Sequence, residues 1–354
     1  MICRLLRVIM TRRSIWFVRE ISSGKRFLIR TGKMHRFAFC VKLLIFFIVF
    51  FLGVIIFHYL DILGVIYTIN YLVHRQQDDT KVLCPKFVGG LGNQMFQYAS
   101  LYGIAKSKNM TLLIDAECEL NQLFSISAVT LPHVACWFLK TRTDYRPCAF
   151  NKDTMNFSAD QNYQMQGYLQ SWQYFHRAEP ALRQIFKFKA AIREKAESIL
   201  KQAIEVHQKQ VRNQALTFIA IHIRRGDITK DNFKTYGYNT ASLDYIRRAM
   251  QYFSERYHRI LFLVCTNDME WAKRYLHKKN VYFVENQPRE VDMALMASCN
   301  HTIMTVGSFG WWSAWLANGE VVYYRYPASR GSKLRKAFSK EMTDYYYPKW
   351  KPML

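Results

Sequence analysis

The apolar stretch "ALTFIAIHI", Ala215 to Ile223, runs straight into "RRGD", residues 224–227. Two guanidinium groups at the end of a buried strand are costly unless something anionic meets them. Arginine keeps its charge at any ordinary pH and matches phosphate oxygens two at a time. Arg224 and Arg225 therefore point to a phosphate-bearing ligand. If strand geometry persists past Ile223, the two side chains face opposite ways. One then reaches the ligand while the other forms a structural ion pair, with Asp227 as a candidate partner. The competing reading is that both arginines form ion pairs only.

A second phosphate signal lies upstream. "GGLGNQ", Gly89 to Gln94, follows an extended run ending at Val88 and precedes a helical pattern. Glycines there allow close backbone approach to an anion at a helix N-terminus. The loop is neither GxGxxG nor a Walker loop, because no GK[ST] follows. Asn93 and Gln94 either offer amides to the ligand or cap the helix. No DxD pair occurs that would hold a nucleotide through a metal, so cationic and backbone donors would have to meet the leaving charge. HExxH and GxSxG are also absent.

These loops need a scaffold. Val82–Val88, a helix containing Phe96, Ala99, Leu101, Gly103 and Ile104, and "TLLIDAE" (Thr111–Glu117) form a strand–loop–helix–strand unit. Lys187–Arg212 reads as one amphipathic helix. Five strand–helix steps follow, from "LTFIAIHI" to a last strand "EVVYYRYP", with Thr240 or Ser242 capping the first helix. Such alternation predicts an α/β fold with parallel sheets. Ligands there bind beyond the strands' carboxyl ends, where "RRGD", "CTND", "ENQPRE" and "GSFGWW" fall. Trp311, Trp312 and Trp315 read as core, Tyr345–Tyr347 as a packed tail, and Asp268 with Trp271 as a helix cap and anchor.

The 354 residues carry a net charge of +24, which on its own would suggest nucleic acid. The distribution argues otherwise. Ten Lys/Arg fall in residues 1–36 against one acid, Glu20, whereas the excess after Leu43 is milder and scattered. The basic head precedes Leu43–Leu60, 18 residues without formal charge if His58 is neutral. At about 1.5 Å per residue this spans roughly 27 Å, close to a bilayer core. It predicts a single-pass signal anchor with the head cytoplasmic and the body lumenal. The expected organisation is a cytoplasmic head (1–42), an anchor (43–60, its apolar character continuing to about 73) and a short stem (61–82). An N-terminal α/β half (83–212) and a C-terminal α/β half (213–354) follow. "HRQQDDTK", His74–Lys81, reads as a polar linker. Six of the eight cysteines lie on the lumenal side, where Cys136–Cys148 is a plausible short-loop disulfide and free buried thiols are the alternative. Three sequons occur. Asn109 and Asn156 read as exposed, and Asn300 as the start of a buried strand that escapes modification.

Five stretches then come in a telling order: "GGLGNQMFQYA" (Gly89–Ala99), "GYLQSWQYF" (Gly167–Phe175), "HIRRGD" (His222–Asp227), "CTNDMEWAK" (Cys265–Lys273) and "DMALMASCNHTIMTVGSFGWWSAWL" (Asp292–Leu316). The set closely resembles glycosyltransferase family 11, the α-1,2-fucosyltransferases, over roughly residues 84–350. The resemblance implies a GT-B-like fold of two Rossmann-type halves, GDP-fucose as donor, a galactose-terminated glycan as acceptor, inversion at the anomeric carbon and no obligatory metal. It implies a Golgi membrane enzyme. By the same resemblance Arg224 holds the pyrophosphate with His222 beside it, and Gly90 and Asn93 lie against the donor. Asp292, sixteen residues before Ser308-Phe309, contacts guanine, and Ser308 helps hold phosphate. Relatives often carry Ser-Thr-Phe or Ser-Ser-Phe where this chain has Gly307-Ser308-Phe309. Asp227, Asp115 and Glu117 are the candidates for a catalytic base, Asp227 doubling as an arginine's partner. The alternatives are a fucosyltransferase of another linkage or acceptor, and a non-catalytic glycan- or nucleotide-binding relative.

Overall fold

The structure is a computed structural model describing residues 32–74, 80–208 and 216–354. Most of the basic head (1–31), the middle of the linker (75–79) and the end of the predicted central helix (209–215) lie outside the described residues. The chain divides into two units, one ending at Leu63 and one beginning at Gly64.

A helix spans Gly32–His74. Its Val41–His74 stretch, 34 residues at mean hydropathy 2.8, is long and apolar enough to cross a bilayer. The helix continues through the region read as a stem. Within the second unit its last turns are packed. Gly64 and Thr68 are buried one turn apart. Thr68 Oγ1 donates to Gly64 O (2.8 Å) and accepts the Ala135 N–H (3.3 Å). A Cβ on Gly64 would collide with the His133 carbonyl, so glycine is what lets the helix approach this loop.

The first sheet is all parallel, in the order β3-β2-β1-β5-β4: β1 Val82–Pro85, β2 Thr111–Asp115, β3 Val129–Leu131, β4 Lys140–Thr143 and β5 Tyr163–Gln166. The second is parallel in the order β11-β10-β9-β6-β7-β8, from β6 Thr217–Ile223, β7 Ile260–Thr266, β8 Val281–Phe283, β9 His301–Met304, β10 Val321–Tyr324 and β11 Lys351–Met353. The expected last strand is followed by one more, β11. In each sheet the order reverses direction beside the strand that comes first in sequence, between β1 and β5 and between β6 and β9. Crevices open at such switch points.

A shared aromatic layer joins the halves. Phe96, on the Leu91–Ser107 helix, meets Trp311 (centroids 4.5 Å apart) and Trp312 (5.1 Å) on the Ser308–Ala317 helix. All three are fully buried. Trp311 Nε1 donates to Tyr345 O (2.9 Å), tying down the C-terminal tail.

Two expectations change. The disulfide is Cys84–Cys136, not Cys136–Cys148. Cys136 packs with Val82, Cys84 and Leu113, whereas Cys148 is a free thiol beside Gln170. Asn300 is exposed and precedes β9 instead of opening it, its Oδ1 accepting the Phe218 N–H (2.8 Å).

Candidate active site

β6 ends at Ile223, and the chain turns sharply. The turn is held by Asn267, which follows β7. Its Oδ1 accepts the N–H groups of Arg225 (2.8 Å) and Gly226 (3.0 Å), and its Nδ2 donates to Asp227 Oδ1 (2.8 Å). Thr305, following β9, accepts the Arg224 N–H at Oγ1 (3.0 Å). The strand end is therefore fastened from both sides before any side chain is placed.

Arg224 then pairs with Asp227. Nε donates to Oδ1 (3.2 Å) and Oδ2 (3.1 Å), and Nη2 donates to Oδ2 (2.7 Å). The guanidinium lies 5.1 Å from the Tyr238 ring centre. Its Nη1 lies under Gly307, where an added Cβ would come within 2.9 Å of it. Gly307 also sits at φ +97, a conformation that favours glycine. Glycine before Ser308 thus makes room for the Arg224 fork. Arg225 goes elsewhere, to Asp268 (3.4 Å) and over the Trp271 ring (4.6 Å). The expected Arg225–Asp227 support is replaced by Arg224–Asp227, because the turn brings Asp227 back under the nearer arginine.

The cleft formed at the strand ends has a volume of about 890 Å³. It brings together eight of the residues singled out above: Gly90, Asn93 and His222, then Arg224 and Asp227, then Asp292, Ser308 and Phe309; Gln94 and Arg225 do not line it. Asp115 and Glu117 do not line it. Asp115 spends its oxygens on the N–H groups of Glu117 (2.8 Å) and Val134 (3.0 Å).

Asn93 is neither a cap nor a lone donor. Its Oδ1 accepts Ser308 Oγ–H (2.5 Å) and Gln170 Nε2–H (2.8 Å), bridging the two halves across the cleft floor. Gly92 is where the halves touch, since a Cβ there would come within 2.6 Å of the Phe309 nitrogen. Gln94 bonds back to Gly89 O (3.2 Å) and across to Glu119 Oε2 (3.2 Å). The N-terminus of the Ser308–Ala317 helix thereby faces the Gly89–Gly92 loop, with unpaired N–H groups and a positive dipole end. Gln170, Asn267, Thr305 and Tyr238 were not singled out beforehand. Gln170, Asn267 and Thr305 lie within quoted motifs, but each acts through a contact distant in sequence.

Charge states follow from burial. His222 is buried, and burial first, then the neighbouring Arg224 charge, lower its pKa to about 3, so it is a neutral imidazole. Its ring lies 5.6 Å from that of Phe309. Burial raises the Asp227 carboxyl, but the Arg224 hydrogen bond and charge, with Asn267, outweigh it and hold it below the usual carboxylate range. Asp292 has no such partner. Burial, and then the nearby Glu290 charge, push it up to about 7, and its Oδ1 makes no hydrogen bond among the described residues.

The model of glycosyl transferase family 11 matches residues 54–353. The chain belongs to this family. It is similar to the galactoside 2-alpha-L-fucosyltransferase SEC1 of Bos taurus, 30% identical over 270 residues, 74% of this chain and 71% of that one. It is also similar to the galactoside alpha-(1,2)-fucosyltransferase 1 of Lagothrix lagotricha, 32% identical over 273 residues, 74% of this chain and 72% of that one. Among solved structures it resembles the fucosyltransferase NodZ from Bradyrhizobium at 14% identity and a TM-score of 0.45, covering 66% of this chain and 92% of that one. The two parallel sheets form two α/β halves, the arrangement expected from the alternation of strands and helices.

Proposed function

We propose that the protein is a galactoside α-1,2-fucosyltransferase, moving L-fucose from GDP-fucose to O2 of a terminal galactose with inversion. The observation that carries this reading is the cleft itself. Within a family 11 chain, one face of a buffered guanidinium and one helix N-terminus open onto the same space. The names of the relatives supply the acceptor class.

In this reading Arg224 offers its Nη1 edge to the pyrophosphate, while Asp227 holds the guanidinium in place. The Ser308–Ala317 helix N-terminus and the Gly89–Gly92 backbone add neutral donors. Together they stabilise the charge that grows on GDP as the anomeric C–O bond breaks. Asp227 is committed to Arg224 and Asn267, and His222 is neutral and buried, so departure of the leaving group leads the reaction. The hydroxyl that attacks from the opposite face becomes acidic as its bond to the anomeric carbon forms, and it releases its proton to water. Asp292 accepts the N–H groups of guanine. The helix at Val41–His74 serves as the anchor of a type II Golgi membrane protein, with the catalytic body lumenal.

The test is transfer from radiolabelled GDP-fucose to a panel of galactosides, followed by linkage analysis. The expected product is an α-1,2-fucosylated galactose, formed in the presence of EDTA. Another linkage, or GDP binding without transfer, would overturn the assignment.

A pH dependence follows from Asp292. Accepting guanine N–H groups requires its carboxylate form, and the free protein holds that group near 7. Below pH 7 a proton must be lost on binding, so GDP affinity falls. Above pH 7 it levels off. At pH 6 the dissociation constant is expected to be roughly tenfold weaker than at pH 8. Calorimetric titration of wild type beside Asp292→Asn separates this from ionisation of the phosphate, because only the variant should lose the extra dependence.

A further inference from the structure

The cleft is lined by both charged side chains and rings. Its charged lining residues, Arg224, Asp227, Arg289 and Asp292, belong to the loop after β6 and to the Arg289–Ala297 helix. Other lining residues carry rings, Phe233 and Tyr238 beside Arg224 among them. Tyr168 comes from the loop after β5 in the first half, and Tyr236 from the end of the Asp231–Tyr236 helix in the second. Both line the cleft yet remain open to solvent, at 37% and 42% exposure.

Both are held in place by backbone that would otherwise be unfavourable. Tyr168 stands between Gly167 at φ 128 and Leu169 at φ 52. Leu169 is a bulky residue in the left-handed region, which costs energy unless its surroundings enforce it. Its side chain is buried, and its carbonyl accepts Ser100 Oγ–H (2.8 Å). A Cβ on Gly167 would press on Asp144, 2.8 Å from its Cβ. The strained turn therefore buries Leu169 and presents Tyr168 outward. Tyr236 is fixed by Gly237, which ends its helix at φ 113 and accepts the Ser329 N–H (2.8 Å). The Tyr236 ring lies 6.0 Å from that of Tyr238, whose ring centre is 5.1 Å from the Arg224 guanidinium. The exposed ring is thus one ring removed from the phosphate clamp.

We propose that Tyr168 and Tyr236, contributed by opposite halves, form the acceptor subsite and meet the terminal galactose with their rings. This rests on the galactoside reading above. A galactose ring has an apolar face, because its axial O4 leaves the C–H groups at C3, C4 and C5 together on the other side. That face fits an aromatic ring, whereas in glucose O4 is equatorial and H4 turns to the opposite face, so the same C–H patch is divided. The pair would therefore select the acceptor's terminal hexose and not the donor.

The test uses the full chain in detergent with lactose as acceptor. Tyr168→Ala and Tyr236→Ala are each expected to raise the lactose KM about tenfold. GDP affinity should stay within about twofold of wild type, and Tyr→Phe at either position should restore the KM, since stacking needs the ring and not the hydroxyl. An unchanged lactose KM in both alanine variants overturns the proposal. So does a parallel loss of GDP affinity, which would mark a role in donor binding. Saturation-transfer NMR with lactose and GDP reads the site without turnover. The galactosyl protons at C3, C4 and C5 should receive the most saturation, and the alanine variants should lose it. Strong saturation of the glucosyl protons instead overturns the subsite. Lactose contact without transfer would count against the reaction assignment and leave the subsite standing.

Discussion

Arg224→Lys is expected to lower turnover by about 10²–10³ and to weaken GDP binding, with the fold unchanged. Losing one bidentate donor to a developing oxyanion costs roughly 3–4 kcal/mol. Lysine keeps the charge but has no fork. The wild-type side chain uses Nε and Nη2 on Asp227 and leaves Nη1 under Gly307. A lysine ammonium cannot span both partners in a fixed geometry. Asp227→Asn keeps the shape and one acceptor, so it should reduce activity less than Arg224→Lys. Arg225→Lys should be milder still, since Arg225 pairs with Asp268 and stacks on Trp271. Single-turnover rates and GDP calorimetry on folded variants check the series. Near-wild-type rate and affinity in Arg224→Lys would show that Arg224 is not the phosphate clamp.

Cys136→Ser should give the largest stability effect. The Cys84–Cys136 disulfide closes a loop between positions 52 apart. On the chain-entropy model such a closure is worth about 4 kcal/mol. That is a large share of the roughly 5–15 kcal/mol by which domains are stable. The bond joins β1 to the loop whose Ala135 N–H bonds Thr68. Denaturant unfolding of wild type, Cys136→Ser and reduced wild type should place the last two together and well below the first. A midpoint unchanged by reduction would show that the bond adds nothing. Cys148→Ser, which leaves the disulfide intact, should not reproduce the loss.

Much of this site was legible because its signals are local. A run of β-branched and aromatic residues ending in two arginines reads as a strand delivering charge to a crevice, and β6 does that. The Gly89–Gly92 loop and the Ser308 helix start read likewise. Local spacing could not show which arginine Asp227 would serve. That depends on how Asn267, forty residues away, bends the turn. Asn93 was open between cap and ligand contact, and its observed partner Ser308 is 215 positions distant. The strands β3, β4 and β11 are three or four residues long, and β4 reads "KTRT", without an apolar period to detect. The disulfide was misassigned because proximity in sequence stood in for proximity in the sheet.

The shared layer of Phe96, Trp311 and Trp312 has a consequence for how the molecule melts and how it can be divided. Each half contributes rings that the other half helps to cover. Neither sheet with its helices can then behave as an independent folding module. Heating should produce a single calorimetric transition for the body, with van't Hoff and calorimetric enthalpies in agreement. GDP should raise that one transition as a whole. A fragment beginning at residue 216 keeps Arg224, Asp292 and Ser308 but exposes two tryptophans to water, and it should aggregate before it can bind nucleotide.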